Sequence, residues 1–176
     1  VRSRGLGDVY KRQAAAFIDR SSREVLIDPA ALAAETAVNA VPVPALVSAF
    51  RKAMAAPDHA QYLHWGATSQ DIIDTGLALR LRRVVELWDE RLAALLKALG
   101  RMAGDHADLP MAARTYGQVA TPTSFGSVVA GWGRPILRHR HRLREVSTDL
   151  ATVSLGGAAG TLSAMGPEGP EVRAGL

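Results

Sequence analysis

The sequence predicts an all-α protein, and three observations carry that prediction. An apolar stripe with a helical period runs for about eight turns after Asp71, a second follows Phe125, and no stretch shows the strict alternation of a half-buried strand. With 176 residues, 48% of them hydrophobic, the chain has material for one ordinary core. The absence of cysteine excludes disulfides, thiolate metal sites and thiol redox chemistry. No apolar run reaches the roughly 18 residues of a membrane span, and no charged-then-apolar leader opens the chain. A soluble, cytoplasmic protein without a membrane partner is expected.

Residues 1–13, VRSRGLGDVYKRQ, have no apolar period, join abruptly to AAAFIDR and resemble translated adaptor sequence, so we set them aside as non-native. They carry Arg2, Arg4, Lys11 and Arg12 against Asp8, a net +3 of the formal +4. The remaining +1 removes most of the case for a nucleic-acid partner that a pI near 10.0 would otherwise make.

Residues 14–62 read as an N-terminal helical region. Its alanine-rich stretch from Asp28 to Ala56 favours helix and is interrupted at NAVPVPAL, where Pro42 and Pro44 impose an extended turn. Leu46, Val47, Phe50 and Met54 then recur at helical spacing until APDHAQ ends the helix. From 63 to 176 the chain reads as the start of a central bundle. The stripe from Ile72 through Leu81, Trp88 and Leu92 to Leu99 defines one long helix. At 1.5 Å per residue its ~30 residues span about 45 Å, more than a compact domain needs, which points to an extended bundle or an oligomer. Gly100 and Gly104 weaken its end, and HADLPMAARTYGQVATPTSFG reads as a loop punctuated by Pro110 and Pro122. A last helix covers Phe125 to about Ser154 with a kink at Pro135, before the glycine-rich SLGGAAGTLSAMGPEGPE.

Polar chemistry gathers at the start of the long helix. In HWGATSQDIIDT, the residues Thr68, Ser69, Gln70 and Asp71 suit a capped N-terminus, where a hydroxyl accepts from a free N–H and an acid three positions on reaches back. The same end also suits a substrate carboxylate, drawn by the helix dipole and the free N–H groups, with the hydroxyls as added donors. Both uses stay open on pattern alone. His64 is either a packed histidine or an acid near the site. RTYGQVATPTSFG brings Arg114, Tyr116, Gln118 and Thr121 into one segment, as binding donors or as a turn that satisfies its own backbone. In RHRHRLR the two histidines lie about 200° apart around a helix, which rules against a two-histidine metal site and leaves a solvated face or an oligomer seam. GGAAGT lacks the lysine of a phosphate loop, so close backbone approach explains it better than a nucleotide.

Three segments, HWGATSQDIIDT, ARTYGQVATPTSFG and LGGAAGTLSAMG, resemble in order and spacing blocks of the fumarase/aspartase superfamily, most closely its 3-carboxy-cis,cis-muconate cycloisomerase branch. The resemblance implies an all-α bundle of very long helices, a homotetramer with active sites shared between subunits, and a small polycarboxylate substrate handled without cofactor or metal. It implies that Thr68 and Ser69, with Gln70 beside them, bind a substrate carboxylate, that Gln118 contacts substrate, and that His64 lines the site. Arg114 and Thr121 complete the binding set, and Tyr116 and His64 are the candidate catalytic groups. Related adenylosuccinate lyases place histidine where this chain has Tyr116, which argues against that purine-pathway activity. An adenylosuccinate- or argininosuccinate-type lyase is nevertheless the rival enzyme, and a non-catalytic helical scaffold the rival outside enzymology. The family's signature loop would follow the glycine-rich block, beyond Leu176, so a truncated bundle, inactive alone, is expected.

Overall fold

The computed structural model describes residues 2–176, with side chains from Lys11 onward. Val1 and the side chains of residues 2–10, all in the segment set aside above, lie outside the described residues. The backbone is mostly helical and divides into two compact units, residues 1–76 with 153–176, and residues 77–152.

The first unit opens with α1 (Arg2–Glu24), which runs through Gln13 and Ala14 without a break. Ala14, Phe17, Ile18 and Ser21 recur at helical spacing on its covered face, and Ala14 and Ser21 are buried. This face packs on the single turn α4 (Pro57–Ala60), with the Phe17 and His59 rings 4.9 Å apart. Between them a 3₁₀ turn at Pro29–Leu32 is capped by the Asp28 carboxylate, which accepts from Ala30 N at 2.9 Å. It leads to α2 (Ala33–Asn39) and α3 (Val43–Met54). The expected extended turn at Pro42 and Pro44 is corrected: Pro42 caps α3 and Pro44 sits in its first turn. The N–H that proline lacks has no helical partner there, so its fixed φ favours initiation. Val43, Ala45, Met54, Ala60 and Leu162 form the buried apolar centre of this unit. The unit is completed by the first residues of α5 (Ser69–Asp105), by the segment from Val153, and by α7 (Gly169–Ala174).

The second unit pairs the rest of α5 with α6 (Phe125–Asp149), joined by an antiparallel hairpin of β1 (Pro110–Thr115) and β2 (Gln118–Ser124). The hairpin corrects the loop expected there. Its strands escape a pattern search because they are short and mostly exposed, so no apolar alternation marks them. Tyr116 and Gly117 make the two-residue turn, both at positive φ (48° and 78°), the backbone that matches the twist of a tight hairpin.

The helix pair has a simple register. A Cβ on Gly126 would run into the carbonyl oxygen of Ala103, and one on Gly133 would touch Leu96 Cδ2 at 3.9 Å. One more step along, Arg140 donates to Asp89 from Nε at 2.6 Å and from Nη2 at 2.9 Å. Steps of seven residues on both helices, in opposite directions, describe an antiparallel pair packed with a heptad period. Gly126 and Gly133 are buried at this seam, as is Val129. Arg144 adds longer bonds to the same Asp89, at 3.2 and 3.4 Å. The Arg140 hydrogen bond, against some desolvation and with help from Arg144, holds the Asp89 carboxyl down at about 2.

The expected long helix is present and longer than its stripe, since α5 has 37 residues and continues through Gly100 and Gly104. The helix α6 continues through Pro135 and ends at Asp149, five residues short of the expected Ser154. Asp71 is the only buried residue described in α5, and Leu79, Leu81, Trp88 and Leu95 are exposed on it, as is Trp132 on α6. No helix among the described residues is long and apolar enough to cross a membrane.

Candidate functional site

The start of α5 is organised by Asp71. Its Oδ2 accepts the Thr68 backbone N–H at 2.9 Å, while Asp71 N donates to the Thr68 carbonyl at 3.1 Å. This is the reach-back half of a capping box, with aspartate in the third position. The other half is corrected: neither the Thr68 nor the Ser69 hydroxyl makes a cap bond among the described residues. Both residues are half-buried at the helix end, and their hydroxyls are left for other partners. Gln70 is exposed, and its Nε2 donates to Asp74 Oδ1 at 2.7 Å, one turn along the same helix.

The same carboxylate reaches across the chain. Asp71 Oδ1 accepts from Gly156 N at 2.9 Å and Oδ2 accepts from Gly157 N at 3.0 Å. One turn on, the Thr75 hydroxyl accepts from Ser154 N at 3.0 Å. Gly157 is at φ 71°, and a Cβ there would lie 2.9 Å from the Gly66 carbonyl oxygen. Gly66, at φ 76°, comes so close to Met165 that a Cβ would meet its Cε at 2.9 Å. HWGATSQD and LGGAAGTLSAMG therefore meet backbone to backbone, which is the use of glycine expected from the sequence. Asp71 is 5% exposed. Burial raises its pKa, but the N–H groups of Thr68, Gly156 and Gly157, with the nearby His64 ring, outweigh it and hold the carboxyl below the usual aspartate range.

His64 has a left-handed backbone, φ 62°, which non-glycine residues adopt rarely and at a cost. Its Nε2 is buried without a hydrogen-bond partner. The ring borders a cavity of about 210 Å³ whose other walls are apolar, from Val43, Leu46, Val47, Phe50, Leu63 and Ile72. An unpaired nitrogen in such surroundings is costly unless a ligand or water completes it. The loop is tied to α3 by Arg51, whose Nη2 donates to the Leu63 carbonyl at 2.7 Å.

Arg114, Tyr116, Gln118 and Thr121 belong to the hairpin of the second unit. All four are exposed, with Tyr116 fully so at the turn. Gln118 pairs with Thr115 on the last rung, and Arg114 faces Val119 beside a register shift at Ala113. The structure thus places His64, Thr68, Ser69 and Gln70 in one stretch whose Gly66 and Asp71 meet the glycine-rich block, and sets the other four along one hairpin. Asp71 is the residue whose reach the sequence reading missed. The capping spacing marked its bond to Thr68, but nothing local marks partners 85 and 86 residues away.

The long helix pair seamed at Gly126 and Gly133, and the polar helix start closed by a glycine block, define the chain as a helical-bundle protein. A lyase family profile matches residues 13–174, and the chain belongs to that family, within the fumarase/aspartase superfamily. It is 42% identical over 170 residues to 3-carboxy-cis,cis-muconate cycloisomerase of Pseudomonas aeruginosa, covering 96% of this chain and 37% of that protein. Among solved structures it is similar to a fumarate lyase from Mesorhizobium sp. BNC1, with TM-score 0.87 and 36% identity over 92% of this chain and 38% of the other. The 3-carboxy-cis,cis-muconate lactonizing enzyme from Pseudomonas putida matches with TM-score 0.85 and 38% identity, over 92% and 37% of the two chains. The chain spans little more than a third of the length of these relatives.

Proposed function

We propose that the whole protein is a cofactor-free cycloisomerase that closes 3-carboxy-cis,cis-muconate to a carboxymuconolactone. The observation that carries this reading is the start of α5, where Asp71 holds the cap and leaves the Thr68 and Ser69 hydroxyls without a partner among the described residues. In lactonisation a carboxylate oxygen adds to an alkene carbon, a C–O bond forms, and the π pair moves onto the carbon next to a second carboxylate. That carboxylate carries the charge as an aci-form until the carbon takes a proton, so the product is an isomer of the substrate. Free N–H groups at a helix start, backed by its dipole, stabilise such charge where it develops. Thr68 and Ser69 hold the carboxylate at that end. His64 lines the site, with its buried Nε2 left for a ligand or water to complete. Gln70, Arg114, Gln118 and Thr121 bind the remaining polar groups, and Tyr116 donates a hydrogen bond. A phenol near pKa 10 is a better donor than proton shuttle at neutral pH. The enzyme works in the cytoplasm as a homotetramer with sites shared between subunits, which would cover the exposed apolar residues of α5.

The test is an ultraviolet assay of 3-carboxy-cis,cis-muconate consumption by the whole protein, run beside adenylosuccinate cleavage. Loss of the diene absorbance without adenylosuccinate turnover is the expected result. Adenylosuccinate cleavage instead would overturn the substrate, and inactivity on both would favour the scaffold.

A further inference from the structure

We infer that Asp71 is a positioning residue: by holding Thr68, Gly156 and Gly157 through their backbone N–H groups, it fixes the glycine-rich turn against the start of α5 and sets the orientation of the Thr68 and Ser69 hydroxyls. The inference rests on the proposed carboxylate site at that helix start. Two oxygens serve three donors here, at 2.9, 2.9 and 3.0 Å, so each carboxylate oxygen is committed. The Asp71 side chain is buried and faces backbone, so substrate need not touch it. It acts on the hydroxyls through the main chain, because the N–H it grips is that of Thr68 itself. The glycine turn is held independently from its other side, with Leu162 N donating to the Gly156 carbonyl at 2.9 Å and Gly160 N to the Gly157 carbonyl at 3.1 Å. That turn therefore forms a preshaped block, and Asp71 is the bolt between it and the helix. Gly66 and Gly157 let the two backbones close to the distance the carboxylate needs.

Asp71→Asn keeps the shape, removes one acceptor and turns an amide N–H toward a backbone N–H. In the whole enzyme it should raise KM for the carboxylate substrate by about tenfold with kcat changed less than about threefold, a loss of binding shared by the ground and transition states. Combined with Thr68→Val and Ser69→Ala, it should raise KM no further than those two changes alone, because it acts through the same hydroxyls. Amide exchange at Gly156 and Gly157 should quicken in parallel. A folded Asp71→Asn enzyme with unchanged KM, or one whose effect multiplies fully with the hydroxyl changes, overturns the positioning role. If Asp71→Asn does not fold, Thr75→Val frees the same turn at Ser154, and it should raise KM two- to threefold; an unchanged KM there overturns the role. If Thr68→Val and Ser69→Ala themselves leave KM unchanged, the carboxylate reading falls and takes the positioning role with it. If they raise KM while Asp71→Asn does not, the positioning role falls alone.

Discussion

Asp71 and Asp89 sit on one helix and both have a depressed pKa, yet their surroundings are opposite. Asp71 is buried and is answered by three backbone N–H groups. Asp89 is partly open to solvent and is answered by two arginine side chains. Backbone donors cannot swing away to find water, so the Asp71 arrangement is stiff and local order depends on it. Arginine side chains can rotate and resolvate, so the Asp89 arrangement adds registration to a helix pair that glycine packing already defines. One carboxylate builds a site, and the other marks a seam.

Removing each carboxylate should break this contrast most sharply. Asp71→Ala strands three N–H donors and should lower stability by roughly 3 kcal/mol in urea denaturation, since each unsatisfied buried donor costs about 1–3 kcal/mol. A loss no larger than that of Asp89→Ala would mean that the two sites are equivalent. Next in size, Gly126→Ala forces a methyl against the Ala103 carbonyl and should cost about 2 kcal/mol by the same measurement, typical of overpacking. Gly131→Ala, where a Cβ meets nothing within 4 Å, is its control and should be neutral or stabilising.

Smaller effects come from charge. Asp89→Asn should produce a modest loss that shrinks at high salt, whereas the Asp71→Asn loss should be nearly salt-independent. For pH, the folded pKa of both groups lies below the unfolded value. Their contributions are therefore fully present above the ordinary aspartate range and lost as acid titrates the folded form. For Asp89 that window lies between the ordinary 3.8 and about 2. Denaturation across this range should show a limb that Asp89→Asn flattens and Asp71→Asn only partly reduces.

The helices were legible because their apolar period is local. Leu46, Val47, Phe50 and Met54, or the stripe from Ile72 to Leu99, repeat within a single turn or two. The cap was legible for the same reason, as Thr68 and Asp71 are three residues apart. What stayed hidden was long-range or exposed. The Gly156 and Gly157 donors are remote in sequence, and RHRHRLR looked uniform although only Arg140 and Arg144 reach Asp89. The hairpin hid because Tyr116 in a left-handed turn lacks the asparagine or aspartate that usually announces one. The Tyr-Gly pair beside the β-branched Val119, Thr121 and Thr123 was the available signal.

The grip of Asp71 on Gly156 also has a consequence for the order in which the molecule forms. Its partners are 85 residues apart, whereas Asp89 and Arg140 are 51 apart and the hairpin rungs are nearly adjacent. Closing a long, unstructured loop costs entropy before any bond rewards it, and the cost falls once the intervening chain has folded back on itself. The hairpin should nucleate, α5 and α6 should zip outward from it, and only then do Ser154 and Gly156 arrive beside Thr75 and Asp71. The end of α5 that would meet a carboxylate should thus acquire its shape after the hairpin and the seam have formed.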